Sequence, residues 1–393
     1  SRCVGSMKRN VCRSLWLMCI SIPICFDMRR FMVLYNDVAP SACADRPSGR
    51  KLHSNTHWTD TYCNRIEAHA AGMLQSPIDG RWYWYGESKK THNLAEHGVN
   101  CYSADTLSDI FRYEGQVLSQ SDIKQPDAVG PFIVERPKVI FNAKTRKFVM
   151  WFHLDDAKYW YNHVGIAQSD NAIGPFEFIY GMQPDGLGSL DMSLFLDPVD
   201  GTAYFIRSCL NRFVAISRLT DDFLNSTGVI STHSVFEGMA LFRHPNGTYY
   251  MISSHLTGWR PNPLILFRAE GSTLDDPQWV SMGNPTDDNT SFNSQPTYVV
   301  QYTPSKGAPY FIYMADDWVH CPNSDGTEGP LINSCYTWLP INFHQDHVTI
   351  EWRPAWDFDD PFALESVSNW TTTSTTTTTT TTQKTLLWTH LFL

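Results

Sequence analysis

The chain of 393 residues is short of several things, and each shortage removes a class of function. Its ten cysteines show no paired short spacings of the zinc-site kind, so a structural zinc module is not expected. Lysine and arginine total 30 against 40 aspartates and glutamates, and they cluster only near the N-terminus. A formal charge of −10 then argues against a phosphate-backbone partner, and no nucleic-acid binding is expected. No apolar run is long enough to span a bilayer comfortably, including the one from Leu15 to Phe26 and the terminal LLWTHLFL. Helical periodicity is also missing over any useful length, which leaves strands to build the fold.

What is present at the ends reads as processing and tail segments. MKRNVCRSLWLMCISIPICF, from Met7, sets basic residues before an apolar core of signal-peptide length, so a secreted protein or one in the secretory pathway is expected. Cleavage near Ala39 to Ala44 and retention as a membrane anchor both stay open. Acceptor tripeptides at Asn225, Asn246, Asn289 and Asn369 agree with that route, and Cys321 with Cys335 fits a disulfide better than a metal site. From Ser366 a threonine tract cannot bury apolar surface. The organisation expected is a leader and linker over 1–55, a folded domain over 56–365 and a disordered tail over 366–393.

The folded part repeats a pattern at intervals of roughly 45 to 65 residues. Five copies start near Glu67, Glu135, Leu190, Phe236 and Ser294. Each runs as an apolar strand, a turn on residues such as Asp-Gly, Asn-Gly or Ser-Lys-Gly, and an aromatic-rich returning strand. With the further β-like stretches HVGIAQS, RFVAISRL and LILFRAE, this predicts an all-β five-bladed β-propeller, a sandwich with coincidental hairpins being the alternative.

A propeller gathers the start of each blade's inner strand around one axis. Those positions hold His69, with Glu67 just before it, then Glu135, Asp191, Glu237 and Gln295. Acids crowded at a mouth raise one another's pKa values, and two carboxyls in different environments can divide into a proton donor and a charged partner, as glycoside hydrolysis requires. The plainer reading is that each acid pairs locally, as Glu135 could with Arg136 or Lys138. Tyr159, Trp160, Tyr161, Trp259, Trp318, Trp338 and Trp356 lie in or beside loops; sugar faces stack on such rings, although at least half are expected to wedge between blades.

AHAAGML with WYWYGE, ERPKVIFN, LDMSLF, FEGMALF, SHLTGW, SQPTYV and YTWLPINF resemble, in this order, glycoside hydrolase family 43, and within it the exo-β-1,3-galactanase group, over about residues 60 to 360. The resemblance implies inverting release of galactose from the non-reducing end of β-1,3-galactan, the backbone of arabinogalactan glycans, by an enzyme with no cofactor. It implies Glu237 as general acid, and Glu135 as a second acid that orients substrate and tunes the first. It further implies sugar contacts at Glu87, Tyr159, Asp191, Asn211 and Thr257, with His69 lining the funnel.

Members of the family generally carry an aspartate base in the first blade, and AHAAG has none. In the galactanase group a fifth-blade glutamine is proposed to take that place through its imidic-acid tautomer, or to position the water. Gln295 is the matching residue. Three other readings stay open: another family 43 activity on arabinofuranosides or xylosides, a catalytically silent sugar-binding propeller, and Glu67 as a substitute base. The partner expected is a β-1,3-linked galacto-oligosaccharide or polysaccharide and the protein a monomer, with no metal demanded, though a central ion is compatible with the fold.

Overall fold

The computed structural model describes residues 51–322, 331–345 and 347–363. The leader up to residue 50, the threonine tract and Asn369 lie outside the described residues. Strand β1 (Lys51–His53) comes first, and five four-stranded antiparallel sheets follow. Blade 1 is β2 (His69–Gln75), β3 (Trp82–Glu87), β4 (Gly98–Ala104) and β5 (Arg112–Ser119). Blade 2 is β6 (Ile133–Asn142), β7 (Lys147–Asp155), β8 (His163–Ser169) and β9 (Glu177–Met182). Blade 3 is β10 (Met192–Leu196), β11 (Ala203–Cys209), β12 (Phe213–Leu219) and β13 (Ser226–His233). Blade 4 is β14 (Glu237–Arg243), β15 (Tyr249–Ser254), β16 (Ile265–Glu270) and β17 (Gln278–Ser281). Blade 5 is β18 (Gln295–Tyr302), β19 (Tyr310–Asp317), β20 (Cys335–Phe343) and β21 (Val348–Ile350). Last, β22 (Ala355–Asp357) pairs with β1, so the segment read as linker reaches the fold from Lys51 onward.

The inner strands touch one another in the order β2, β6, β10, β14, β18 and back to β2, which closes a five-bladed propeller and rules out two packed sheets. Burial falls from axis to rim: β6 is buried along its whole length, whereas β9 and β17 contain no buried residue. The core is therefore divided into seams between blades. One seam joins blades 1 and 2 through Tyr85, Phe152 and Phe176, and another joins blades 3 and 4 through Ile206, Met251 and Phe267. The seam that shuts the ring is the most aromatic. Trp84 of blade 1 packs at 4.8 Å from Tyr336 and 4.9 Å from Trp338 of blade 5, and its indole N–H donates to the Ala68 carbonyl at 3.0 Å. Burying rings this large supplies the strongest non-directional cement available to a sheet protein.

The Cys321–Cys335 disulfide is formed, with Cα atoms 5.8 Å apart. Asn225, Asn246 and Asn289 are exposed in turns or bends. Among the described residues no helix is long and apolar enough to cross a membrane.

Candidate active site

Four inner strands begin in the same irregular way. The ladder slips between His69 and Gly72, Glu135 and Lys138, Glu237 and Ala240, and Pro296 and Tyr298. Such bulges re-aim the side chain that precedes them. The residue after the first is left-handed in three of the four, with φ of 46° at Ala70, 51° at Arg136 and 61° at Gly238. At Gly238 an added Cβ would stand 3.2 Å from the Gln295 side chain and 3.1 Å from the Pro296 carbonyl, so the close approach of blade 5 requires glycine there.

Two linked groups of polar side chains result. In the first, Gln295 donates from Nε2 to Glu237 Oε1 at 3.2 Å and to Ser254 Oγ at 3.2 Å. Its Oε1 accepts from Arg136 Nη2 at 2.7 Å and from Trp318 Nε1 at 2.9 Å. The Arg136 Nε lies 2.7 Å from Asp191 Oδ1, and Asp191 Oδ2 accepts the Gly238 amide at 2.8 Å. Burial pushes the Glu237 carboxyl up to about 8, helped by the Asp191 charge and opposed by Arg136 and the Thr257 amide.

In the second group Lys89 Nζ stands 3.2 Å from Glu135 Oε1 and 3.5 Å from Glu87 Oε2. Tyr159 donates its hydroxyl to Glu135 at 2.9 Å, and His153 Nδ1 lies 3.4 Å from the other oxygen. Burial works against a charge on Glu135, but Lys89, His153 and Tyr159 together hold its carboxyl well below the usual range. Burial also opposes a charge on His153, and the carboxylates of Asp155 and Glu135, which accept from its ring nitrogens, raise it to about 9. For Glu87 burial prevails over Lys89, with Glu135 adding repulsion, and the carboxyl rises to about 8. The groups meet where Lys89 Nζ lies 5.3 Å from the Trp259 ring and 6.0 Å from that of Trp318. A cavity of about 530 Å³, a volume typical of small-ligand sites, opens beside them and is lined in part by Lys89, His92, Glu135, Tyr159 and Trp259.

The expected residues are distributed unevenly around this centre. Glu135, Glu237, Gln295, Asp191, Glu87 and Tyr159 come together. Thr257 contributes its backbone amide to Glu237, while its hydroxyl donates to the Arg260 carbonyl at 2.6 Å. Asn211 is exposed in the turn between β11 and β12 and accepts from Ser208 Oγ at 3.0 Å. His69 departs from the expectation. It is fully buried, bonded to Asp316 at 3.0 Å and stacked on Tyr336 at 4.9 Å, so it braces blade 1 against blade 5 and does not line the funnel. Glu67 is likewise buried and paired with Arg65 at 3.0 Å.

Lys89, Arg136 and His153 are site residues that the sequence reading does not single out, and Trp318 enters it only as one of several loop aromatics. Arg136 follows Glu135, so a local pair was the natural reading, but the left-handed turn throws its guanidinium toward Asp191 and Gln295 instead. Lys89 had a weak signal, standing two residues after Glu87 and thus on the same side of an extended chain.

No family model matches the chain, and no match was found among curated proteins. Solved structures do match. An exo-β-1,3-galactanase from Clostridium thermocellum is 30% identical with a TM-score of 0.69, over 78% of this chain and 66% of that one, so the chain spans just under two thirds of its length. A variant exo-β-1,3-galactanase from Phanerochaete chrysosporium, solved with β-1,3-galactotriose, is 31% identical with a TM-score of 0.67, over 78% and 68%. A family 43 β-1,3-galactosidase solved with galactodeoxynojirimycin is 31% identical with a TM-score of 0.67, over 78% of this chain and all of that one. A five-bladed propeller with a carboxyl cluster at its axis is thus the scaffold of a glycoside hydrolase. The chain belongs to glycoside hydrolase family 43, and these matches fall in that family's exo-β-1,3-galactanase group.

Proposed function

We propose that the protein is an inverting, exo-acting hydrolase that releases galactose from the non-reducing end of β-1,3-galactan. The observation that carries this reading is the gathering at one axis of Glu237, hydrogen-bonded to Gln295, and Glu135, held by Lys89 and His153; burial favours a proton on the first carboxyl, and the cations favour a charge on the second. That division is what glycosidic cleavage near neutrality needs. Glu237 gives its proton to the glycosidic oxygen as the bond to the anomeric carbon breaks. A water adds from the opposite face and passes its surplus proton to solvent, so galactose leaves as the α-anomer. Glu135 faces the positive charge that develops on the ring. Glu87, Asp191 and Tyr159 are the polar partners of the sugar, with Asn211 and Thr257 at the rim; buried partners of this kind discriminate hydroxyl configuration strongly. The relatives solved with β-1,3-galactotriose and galactodeoxynojirimycin support galactose as the sugar. Passage through the secretory pathway belongs to the same reading and is supported by the Cys321–Cys335 disulfide and the exposed acceptor asparagines.

Digestion of β-1,3-galactan followed by proton NMR tests substrate, exo action and stereochemistry together. α-Galactose as the sole initial product is expected; a β-anomer or a ladder of internal fragments would overturn the assignment. Glu237→Gln separates an enzyme from a sugar-binding propeller, since it should abolish turnover of β-1,3-galactobiose while leaving binding intact.

A further inference from the structure

The amide of Gln295 has its polarity dictated by its neighbours. Both groups at the Oε1 end, the Arg136 guanidinium and the Trp318 indole, are donors only. At the other end stand a carboxyl oxygen of Glu237 and the hydroxyl of Ser254, both able to accept. Exchanging the oxygen and nitrogen would set N–H groups against two donors, so only one orientation satisfies the site. The donors are themselves fixed. Arg136 is buried, is held by Asp191 at 2.7 Å and donates from Nη1 to the Pro296 carbonyl at 3.2 Å. Trp318 is buried and packs edge-on to Trp259 at 5.0 Å.

An imidic acid carries its proton on that oxygen. Placed here, the proton would face two donors and no acceptor, and at least one existing bond would be lost in a buried site. The surroundings therefore favour the ordinary amide throughout the reaction. We propose that Gln295 is a positioning residue, an N–H donor that holds Oε1 of Glu237 and leaves the acid's proton on Oε2, with Arg136 and Trp318 setting its direction. This rests on the reading of Glu237 as the acid, and it departs from the base role implied by the family resemblance.

The two roles separate by leaving group. A residue that aims the acid matters when the departing oxygen must be protonated and matters little when it need not be. A base matters in both cases. Gln295→Ala is expected to slow β-1,3-galactobiose cleavage by about 10²-fold, within the usual worth of general acid catalysis. With β-galactosyl fluoride, which leaves with little acid assistance, its rate should stay within about fivefold of the parent, and azide should restore nothing. An equal loss on both substrates with azide rescue and formation of α-galactosyl azide would overturn the proposal. Gln295→Glu keeps the volume and the acceptor for Arg136 but removes the N–H, so it guards against misfolding of the alanine variant, with thermal melting as the check. It should show the same leaving-group split, and a rate on galactobiose equal to or above the parent's would refute the donor role. Glu237→Gln serves as the reference. Full activity in that variant would sink the acid assignment itself, whereas a leaving-group split in Glu237→Gln without one in Gln295→Ala would sink only the role given to Gln295.

Discussion

The protonation of Glu237 depends on a neighbour that can be changed without touching it. Asp191 binds Arg136 through one oxygen and the Gly238 amide through the other, which places its charge beside the acid. Asp191→Asn removes that negative charge and leaves Arg136 less neutralised, and both changes favour the carboxylate of Glu237. Two unit charges about 6 Å apart at an effective dielectric of about 20 interact by roughly 3 kcal/mol, or about 2 pK units. Partial solvent access at the mouth halves this, so a downward shift of about one unit is expected. The enzyme works with Glu237 protonated, so kcat/KM should fall as pH rises through about 8 in the parent and through about 7 in the variant. At pH 8 the parent would be half protonated and the variant about one tenth, an extra loss of about fivefold beyond the pH-independent cost of a weakened sugar contact. Galactose release from β-1,3-galactobiose, followed from pH 4.5 to 9, measures the limb. An alkaline limb at or above that of the parent would refute the electrostatic coupling.

Glu237→Gln should raise stability in a pH-dependent way. The acid's ordinary value is 4.5 and its folded value about 8, so the folded state carries a growing cost between these pH values, full above 8 and absent below 4.5. After allowance for solvent screening the gain is about 1–2 kcal/mol at pH 8 and near zero at pH 4.5, read by thermal melting; an equal gain at both would contradict it. Trp84→Ala, which empties the seam between blades 1 and 5, should cost about 3–5 kcal/mol in urea unfolding, and a loss under 1 kcal/mol would show that the ring is not closed there. Replacing both Cys321 and Cys335 by serine frees a loop with a sequence separation of 14 and should cost about 3 kcal/mol, measured in the same way.

The hairpins are legible because both of their strands are largely buried and therefore apolar, and because four of the five turns between them carry glycine next to a polar residue, the turn at 143–146 in blade 2 being the exception. HVGIAQS, RFVAISRL and LILFRAE likewise match the third strands β8, β12 and β16. The outer strands were not legible, since β9 and β17 lie half in water and show neither clean alternation nor an apolar run. In the site the acids could be read from their repeat position, but their partners could not. His69 and Glu135 occupy equivalent places, yet one is sealed beneath Tyr336 and the other lines the cavity, a difference set by neighbouring blades. The fate of Arg136 turned on one left-handed backbone residue, which sequence spacing does not reveal.

The bulges do more than aim catalytic side chains. Beginning at blade 1, Lys138 Nζ of blade 2 donates to the Ala70 carbonyl at 2.8 Å. Arg136 of blade 2 reaches Asp191 at blade 3, Asp191 accepts Gly238 of blade 4, and Glu237 and Ser254 of blade 4 accept Gln295 of blade 5. Asp316 of blade 5 then accepts the Ala70 amide at 2.7 Å, and the circuit is complete. Every pair of adjacent blades is thus tied near the axis by a residue at or beside a bulge, or by Asp191. Left-handed backbone at Ala70 and Arg136 costs about 1–3 kcal/mol each and persists only where the surroundings over-determine it. Here the polar circuit supplies that over-determination, because relaxing either residue to ordinary strand geometry would break a tie between blades. Local strain, ring closure and the direction of the acid are therefore one property of the axis, and Arg136, with partners in blades 3 and 5 from its place in blade 2, is the residue on which all three converge.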